Sequence, residues 1–332
     1  MQRWTVSPSD PDPTRHAGFS AAIAALRAGK LVAVPTETVY GLAADATDAE
    51  ACAAIYQAKG RPSFNPLIAH VESRAAAERH GVFDARARAL ADAFWPGPLT
   101  LVVPKRADSP VCDLATAGLE TIALRVPAAP IMRALAQACG VPLAAPSANR
   151  SGRITGTTAD AVAEDLGTAL AVLIDAGPCP VGVESTIVGL TDATPRLLRP
   201  GGIARAEIEA VLGCPLEGAP AQEPDAPAAP GMLTSHYAPG AAVRLDARAV
   251  MPGEALLAFG ADMPPGAEGA VAVENLSPSG DLVQAAARLF TALRRLDASG
   301  AATIAAMPVP TDGLGEAIND RLRRAAAPRE TG

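Results

Sequence analysis

A proline-rich stretch from Pro215 to Gly240 divides the chain into two parts. It reads PLEGAPAQEPDAPAAPGMLTSHYAPG, and such a density of proline and alanine cannot build a hydrophobic core. The chain has 332 residues, of which 49% are hydrophobic, so it is long enough for two cores. We therefore expect one domain over residues 1–214, a semi-extended linker over 215–240 and a second domain over 241–332.

Short apolar runs alternate with alanine-rich stretches of helical periodicity, a pattern that is typical of α/β domains. In the first part, strands are predicted at 31–34, 67–71, 99–103, 121–126, 141–145, 171–175 and 186–190. Helices are predicted there at 17–29, 47–58, 84–94, 128–138 and 157–166. The second part has apolar runs at 255–259, 269–273 and 302–306, with helices near 279–296 and 314–325. The expected fold is α/β: a domain with a twisted, mixed sheet, followed by a small Rossmann-like α/β domain.

Two cations, Lys59 and Arg61, stand one residue apart in a segment that glycine and proline interrupt. A planar guanidinium fork beside a mobile ammonium group suits a phosphate, although two basic residues in a loop can also be a solvated turn. The chain contains no GxxxxGK[ST] motif, so a P-loop would not hold ATP. Lys59 and Arg61, joined by Arg199 before a Pro-Gly-Gly turn, are the candidates for binding phosphates instead.

Polar loops follow two of the apolar runs, and α/β proteins assemble their sites in such loops. The run 141–145 opens into Pro146-Ser147-Ala148-Asn149, in which Ser147 and Asn149 could donate to phosphate or ribose oxygens. By itself this tetrapeptide is also a common turn. Arg125 ends another apolar run and is a candidate partner for a carboxylate, or else a surface ion pair.

Six motifs, in this order, resemble the YrdC/Sua5 family: PTETVYGL, KGRP with a nearby asparagine, PSAN, VESTI, LRPGG and PGMLTSHYAP. The last resembles the linker of the two-domain Sua5 form. The resemblance implies a nucleotidyltransferase, an L-threonylcarbamoyladenylate synthase, that joins L-threonine, bicarbonate or CO2, and ATP and releases pyrophosphate. Its product would feed the N6-threonylcarbamoyl modification of adenosine next to the anticodon of certain tRNAs, through a downstream tRNA threonylcarbamoyl-transferase machinery.

The resemblance also implies roles for individual residues. KxR and SxN form the family signature, which implies that the catalytic residues are Lys59, Arg61, Ser147 and Asn149. The implied nucleotide site consists of Arg61, Asn65, Thr121, Ser147, Thr155, Arg199 and Tyr237. The implied threonine site consists of Thr38, His70, Arg125, Ala145 and Ser185. No residue is implied as a metal ligand, and Mg²⁺ is expected to arrive with ATP, held mainly by substrate oxygens.

The linker ends in side chains that can dock, namely Met232, Leu233, His236 and Tyr237. We expect this end to fold over the site as a gate that excludes water from a hydrolysable adenylate, with Tyr237 touching the nucleotide. Two departures from the family pattern are Ala43, where many members carry glycine, and Thr155-Gly156-Thr157-Thr158, where Ser-Pro-Thr is more usual. Neither removes a charged group, so activity is expected to be retained.

Composition weighs against several other classes of protein. The net charge is −7 and aromatic residues make up 3%, which disfavours a general RNA-binding module and leaves open only a weak contact with tRNA. The start of the chain lacks an apolar signal region, and no run reaches the ~20 apolar residues of a membrane span. We expect a cytoplasmic protein without membrane contact. The five cysteines are widely spaced and form no CxxC pair, which argues against a disulfide framework and against a structural zinc site.

Three alternatives stay open at this level. One is an RNA-binding module with a local basic face. Another is a carbamoyl-transfer enzyme of hydrogenase maturation, although such proteins carry zinc-finger cysteines and further domains that this sequence lacks. The third is a regulatory nucleotide-binding protein without turnover.

Overall fold

The structure is a computed structural model that describes residues 1–7, 10, 12–219 and 236–328. The strands in these ranges are β1 (Gln2–Thr5), β2 (Val32–Val34), β3 (Gly41–Asp45), β4 (Ile68–His70), β5 (Leu99–Pro104), β6 (Thr121–Arg125), β7 (Leu143–Ala144), β8 (Val172–Asp175), β9 (Thr186–Gly189), β10 (Arg196–Arg199), β11 (Glu217–Gly218), β12 (Ala242–Arg244), β13 (Glu254–Ala258), β14 (Val273–Asn275) and β15 (Thr303–Ala306). The α-helices are α1 (Ala17–Arg27), α2 (Ala49–Lys59), α3 (Arg74–Ala77), α4 (Ala85–Phe94), α5 (Asp113–Thr116), α6 (Pro130–Cys139), α7 (Ala159–Leu166), α8 (Arg205–Leu212), α9 (Leu282–Ala298) and α10 (Gly315–Ala326).

The first eleven strands form one sheet in the order β1-β8-β2-β3-β7-β4-β6-β5-β9-β10-β11. The sheet is mixed: β4 runs parallel to β6 and β5 parallel to β9, whereas β5 and β6 are antiparallel. This confirms the predicted mixed α/β sheet. The buried apolar residues of these strands pack against the amphipathic helices on the two faces, as the alternation of apolar runs and helical stretches requires.

The last four strands form a separate parallel sheet in the order β12-β15-β13-β14. Helix α9 packs on this sheet through a continuous apolar face that includes Leu289, Phe290, Leu293 and Leu296. Parallel strands need crossover connections, and α9 supplies the one from β14 to β15, whereas the connections from β12 to β13 and from β13 to β14 contain no α-helix. The parallel sheet with α9 and α10 is the small Rossmann-like α/β unit that the sequence predicts. The predicted boundaries at 214 and 241 stay a prediction, and residues 220–235 of the linker lie outside the described residues.

The sequence misplaced or missed several elements. The predicted strand at 269–273 is wrong: a 3₁₀ turn occupies Ala267–Gly269, and the strand is β14, further along. Strand β3 was not predicted, because GLAAD consists of small residues without the β-branched or aromatic side chains that usually mark strands. It is nevertheless central and almost fully buried.

The two parts share a packed interface. The core of the second part includes Val39, Ile154 and Val183 from the first. Gly182 shows how close the approach is, because a Cβ at this position would lie 2.4 Å from the carbonyl oxygen of Ala286 in α9. Arg294 of α9 adds a hydrogen bond of 2.6 Å to the carbonyl oxygen of Ile154. No helix in the described part of the chain is long and apolar enough to cross a membrane.

Candidate active site

Nine of the fourteen predicted site residues line one small cavity. Strands β4 and β6 pair in parallel with His70 opposite Arg125, and Ile68 and His70 share a face of β4. The cavity has a volume of about 40 Å³. Its lining consists of Thr38, Val39, Arg61, Ile68, His70, Arg125, Ala145, Pro146, Ser147, Glu184, Ser185, Arg199, His236 and Tyr237.

Lys59 joins the two signature motifs of the sequence. It is the last residue of α2, which begins at a helix cap where Asp48 accepts hydrogen bonds from the backbone of Glu50 and Ala51. The buried Lys59 ammonium donates to the carbonyl oxygens of Ser147, at 2.6 Å, and of Asn149. Lys59 therefore fixes the shape of the Ser147–Asn149 loop from behind, and it does not itself line the cavity.

Arg61 organises the loop that follows it. Its guanidinium donates to the carbonyl oxygen of Asn65 (3.1 Å), to Asn65 Oδ1 (2.6 Å) and to the carbonyl oxygen of Pro66 (2.9 Å). Burial lowers the pKa of Arg61 to about 10, which still leaves it charged at neutral pH. Arg61 is therefore a buried cation at the cavity. The hydrogen bonds that the structure gives it all go to neutral oxygens.

Arg199 provides a second buried cation at the cavity. It ends β10 and donates to the carbonyl oxygen of Ser185 and to Ser185 Oγ, at 2.9 and 3.1 Å. Ser185 Oγ also lies 2.7 Å from Thr100 Oγ1. The Pro-Gly-Gly turn after Arg199 needs glycine, because a Cβ on Gly201 would lie 2.4 Å from the backbone nitrogen of Thr186. Backbone contact thus locks the LRPGG motif onto the VESTI motif.

A charged pair reaches the cavity through Arg125. Arg125 donates to Glu37 Oε1 at 2.5 Å and to the carbonyl oxygen of Gly97 at 3.3 Å. Burial favours the neutral form of Glu37, but the charge of Arg125 outweighs it and holds the pKa of Glu37 below its usual range. Thr38 Oγ1 lies 2.8 Å from Thr36 Oγ1. Guanidinium, carboxylate and hydroxyl groups here can recognise a small zwitterion.

The end of the linker lies over this cavity. His236 and Tyr237 are both buried, and their rings meet edge to face at 4.0 Å between centroids. Tyr237 has a φ of 61°, a left-handed conformation that is unfavourable for a bulky residue unless its surroundings hold it there. Met232 and Leu233, which were predicted to dock with this pair, lie outside the described residues.

Buried polar atoms without a hydrogen-bond partner concentrate at this site. Within the described residues they are Asn65 Nδ2, Asn149 Oδ1, His236 Nδ1, Tyr237 OH and Arg321 Nη2, with two others on Arg133 and Arg294 elsewhere. Most buried polar groups in native proteins are paired, so a cluster of exceptions marks a place where a ligand can supply partners.

Some predicted residues lie behind the cavity lining or away from it. Asn65, Asn149 and Thr155 are fully buried next to lining residues, and Thr155 Oγ1 donates to Glu184 Oε1 at 3.0 Å. Thr121 begins β6, whereas Arg125 ends it, so about 13 Å of strand separates them. The structure therefore does not bring Thr121 to the cavity.

Three residues at the site were not predicted as site residues. Glu184 belongs to the VESTI motif, and its buried carboxylate lines the cavity. Glu37 belongs to the PTETVYGL motif and was overlooked as the partner of Arg125. His236 was predicted as a docking residue of the linker. In the sequence, only its adjacency to Tyr237 pointed to a contact between the two rings.

His70 is the clearest source of pH dependence. Burial, with the nearby charge of Arg125, lowers the pKa of His70 to about 3. Between pH 3 and 6.5 the unfolded state therefore binds a proton that the folded state does not, and stability falls as the pH falls. Carboxylates with a lowered pKa contribute only below about pH 4.5.

We expect His70 alone to cost about 2 kcal/mol of unfolding free energy between pH 7.5 and 5.0. Urea unfolding at the two pH values measures this cost. His70→Gln should show a smaller difference by about that amount. An unchanged pH dependence in His70→Gln would contradict the prediction.

Metal and thiol chemistry find little support in the described part of the chain. It contains no group of three or more histidine, cysteine, aspartate or glutamate side chains that could hold a metal ion. The five cysteines are free, and burial raises the pKa of Cys179 to about 12, so this thiol is not a nucleophile near neutral pH.

Comparison with known proteins identifies the family. A family model described as "Telomere recombination" (Sua5_yciO_yrdC) matches residues 24–201, and one described as "Threonylcarbamoyl-AMP synthase, C-terminal domain" (Sua5_C) matches residues 203–327. The chain is 39% identical to a threonylcarbamoyl-AMP synthase of Bacillus subtilis, with 99% of this chain and 98% of the relative covered. It is 42% identical to a threonylcarbamoyl-AMP synthase of Pyrococcus abyssi, with 92% of each covered.

A solved structure gives the same answer. The crystal structure of Pyrococcus abyssi Sua5 complexed with L-threonine superposes with a TM-score of 0.85 at 38% identity, and the match covers 98% of this chain and 97% of that one. The match extends over both sheets. The chain belongs to the Sua5/YciO/YrdC family, in its two-domain threonylcarbamoyl-AMP synthase form.

Proposed function

We propose that this protein forms threonylcarbamoyl-AMP and pyrophosphate from L-threonine, bicarbonate or CO2, and ATP. The observation that carries the proposal is the arrangement of charge around one cavity. Arg61, Arg199 and Arg125 are buried cations that line this cavity, and Arg125 is paired with Glu37. A polyanionic nucleotide and an amino-acid carboxylate can thus lie side by side. The similarity to the threonine-bound Sua5 of Pyrococcus abyssi supports the same reading.

The reaction needs two steps. The neutral amine of threonine attacks CO2 and loses a proton, which forms the new N–C bond of a carbamate. A carbamate oxygen then attacks the α-phosphorus of ATP, and the bond to the bridging oxygen breaks as pyrophosphate leaves. No covalent enzyme intermediate is required, so positioning and charge neutralisation supply the catalysis.

The chain offers groups for each part of this reaction. Arg125 would bind the threonine carboxylate, with Thr38, His70, Ala145 and Ser185 shaping the space around the side chain. Arg61 and Arg199 would neutralise phosphate charge, and Ser147 and Asn149 would bind the phosphate or ribose oxygens on a loop that Lys59 anchors. Asn65, Thr155 and Tyr237 complete the proposed nucleotide site, and Thr121 belongs to it only by family resemblance.

Mg²⁺ would enter with ATP rather than on a metal site of the protein. Glu184 is the carboxylate that lines the cavity, and its oxygens already accept hydrogen bonds from Thr155 and Arg321. Because the Glu184 oxygens are already engaged, the phosphates would supply most of the ligands of the Mg²⁺ ion. The ion would shield the phosphate charge during transfer.

Substrates cannot enter without movement. A volume of about 40 Å³ holds a few water molecules and not an amino acid beside a nucleotide. We propose that the His236–Tyr237 end of the linker is the part that moves, and that it closes again over the bound substrates. Closure would protect the adenylate from water until it passes to the machinery that modifies tRNA in the cytoplasm.

A product assay tests the proposed function. We expect mass spectrometry to detect threonylcarbamoyl-AMP only when threonine, bicarbonate and MgATP are all present, with one pyrophosphate released per product. Omitting threonine should abolish pyrophosphate release. Release that continues unchanged without threonine would exclude the reaction and favour a nucleotide-binding protein of another kind.

A further inference from the structure

Arg321 of α10 is a fully buried arginine from the second domain that reaches the first. It donates to Glu184 Oε2 at 3.0 Å and to the carbonyl oxygen of Pro200 at 2.7 Å, and it pairs with Asp320 at 2.9 Å. Its guanidinium carbon also lies 5.3 Å from the centre of the Tyr237 ring, within the range of a cation–π contact. One side chain therefore connects the linker end, a cavity-lining carboxylate and the Pro-Gly-Gly turn.

The second domain also builds the rest of the seat for this linker end. The Tyr237 ring stacks on Phe290 of α9, with 5.4 Å between centroids and 30° between planes. The backbone N–H of His236 donates to the carbonyl oxygen of Arg324 in α10, at 3.3 Å. Because Tyr237 has a positive φ, these contacts must outweigh the conformational cost at that residue.

The charge of Arg321 matters to Glu184 as well. Burial favours the neutral form of this carboxylic acid, but the charges of Arg321 and then Arg199 outweigh burial and keep the pKa of Glu184 below its usual range. The Glu184 carboxylate in turn accepts the hydrogen bond of Thr155, a residue of the proposed nucleotide site. A buried ion pair that loses one partner leaves an uncompensated charge behind.

We propose that Arg321 is a positioning residue through which the second domain holds Tyr237 and Glu184 in place for nucleotide binding. This inference rests on the proposed function. Arg321 does not line the cavity, so it acts on the substrate through these two side chains. The second domain then contributes to the active site of the first domain, and it contributes to the binding of ATP rather than of threonine.

Two substitutions separate the positioning role from domain packing. Arg321→Lys keeps a positive charge beside Glu184 and Asp320 but loses the flat guanidinium over Tyr237. Arg294→Met is the matched control: Arg294 also bridges the domains, but the hydrogen bonds and ion pairs that the structure gives it are to Ile154, Glu164 and Asp165, none of which lines the cavity. Steady-state kinetics for ATP and threonine, thermal melting and hydrogen exchange at residues 236–240 are measured for each.

We expect Arg321→Lys to raise KM for ATP about five- to tenfold, the range of one lost cation–π contact, with KM for threonine within about twofold of wild type. Hydrogen exchange at residues 236–240 should become faster. Arg294→Met should lower the melting temperature without either effect. In a Tyr237→Leu background, Arg321→Lys should add little further loss, because the two changes act on one interaction.

Three outcomes would overturn the proposal: equal rises in KM for ATP in Arg294→Met, unchanged exchange at residues 236–240 in Arg321→Lys, or losses that multiply in the double variant. Hydrogen exchange measures how firmly Arg321 holds Tyr237, and this measurement does not depend on enzyme turnover. If the wild-type protein formed no threonylcarbamoyl-AMP, the proposed function would fail, and the exchange result would still decide whether Arg321 holds Tyr237.

Discussion

Replacing Arg61 with alanine is expected to lower kcat/KM at least about tenfold, since a hydrogen bond to a charged group contributes about 1.5–3 kcal/mol. The change removes a cation that lines the cavity beside Ser147. It also removes three hydrogen bonds to Asn65 and Pro66, so the loop that leads into β4 loses its internal support. We therefore expect a loss of unfolding free energy of about 1–3 kcal/mol as well.

Arg61→Lys helps to separate these two effects. The lysine keeps the charge but cannot reproduce the fork that contacts Asn65 and Pro66 together. If neutralisation of phosphate charge dominates, this variant should retain more activity than Arg61→Ala at a similar stability. Arg88→Ala removes an exposed arginine that pairs with Glu78, and it should change neither activity nor stability by a measurable amount. An Arg61→Ala variant with wild-type kcat/KM would exclude Arg61 from the site.

The sequence predicted the α/β architecture because its strands and helices differ in hydrophobic period. Most predicted helices coincide with observed ones within a few residues, as α4 does with 84–94. Prediction failed where burial arises without the usual side chains. Strand β3 has small residues, and β14 carries an exposed valine and a glutamate, so neither has the apolar run of a buried strand.

The site was predicted through motifs rather than through geometry. The spacing of Lys59 and Arg61 suggested that both face one ligand. In the structure Arg61 lines the cavity, and Lys59 instead anchors the loop of Ser147 and Asn149. Lys59 ends a helix and Arg61 lies beyond it, so their side chains point in different directions. The prediction that both face one ligand assumed an extended chain, in which alternate side chains share a face.

Arg321 illustrates what a single sequence does not reveal. It lies in NDRLRRAA, a run of charges that reads as the solvated face of a helix. The structure instead buries this arginine completely, while its neighbour Arg323 is exposed. Which of the two arginines is buried depends on how α10 packs against the VESTI motif. That motif lies more than one hundred residues earlier in the chain.

Replacing Tyr237 with alanine is expected to raise KM for ATP at least tenfold and to release AMP in place of part of the threonylcarbamoyl-AMP. The ring is fully buried between His236, Phe290 and Arg321, so its loss opens the cavity towards the linker. Truncation of a buried aromatic residue costs about 3–5 kcal/mol of unfolding free energy. The ratio of AMP to threonylcarbamoyl-AMP, measured by mass spectrometry, reports how much water reaches the adenylate.

Two controls make this result specific to the linker end. Phe83→Ala removes another buried aromatic ring, in the first-domain core beside Trp95, and should cost comparable stability while leaving KM for ATP and the product ratio unchanged. Tyr237→Phe keeps the packing and removes only the hydroxyl, which has no hydrogen-bond partner in the protein. If the hydroxyl contacts the nucleotide, Tyr237→Phe should raise KM for ATP without increasing AMP release. If Tyr237→Ala left both quantities at wild-type values, the linker end would be a passive tether, and closure of the cavity would have to come from another element.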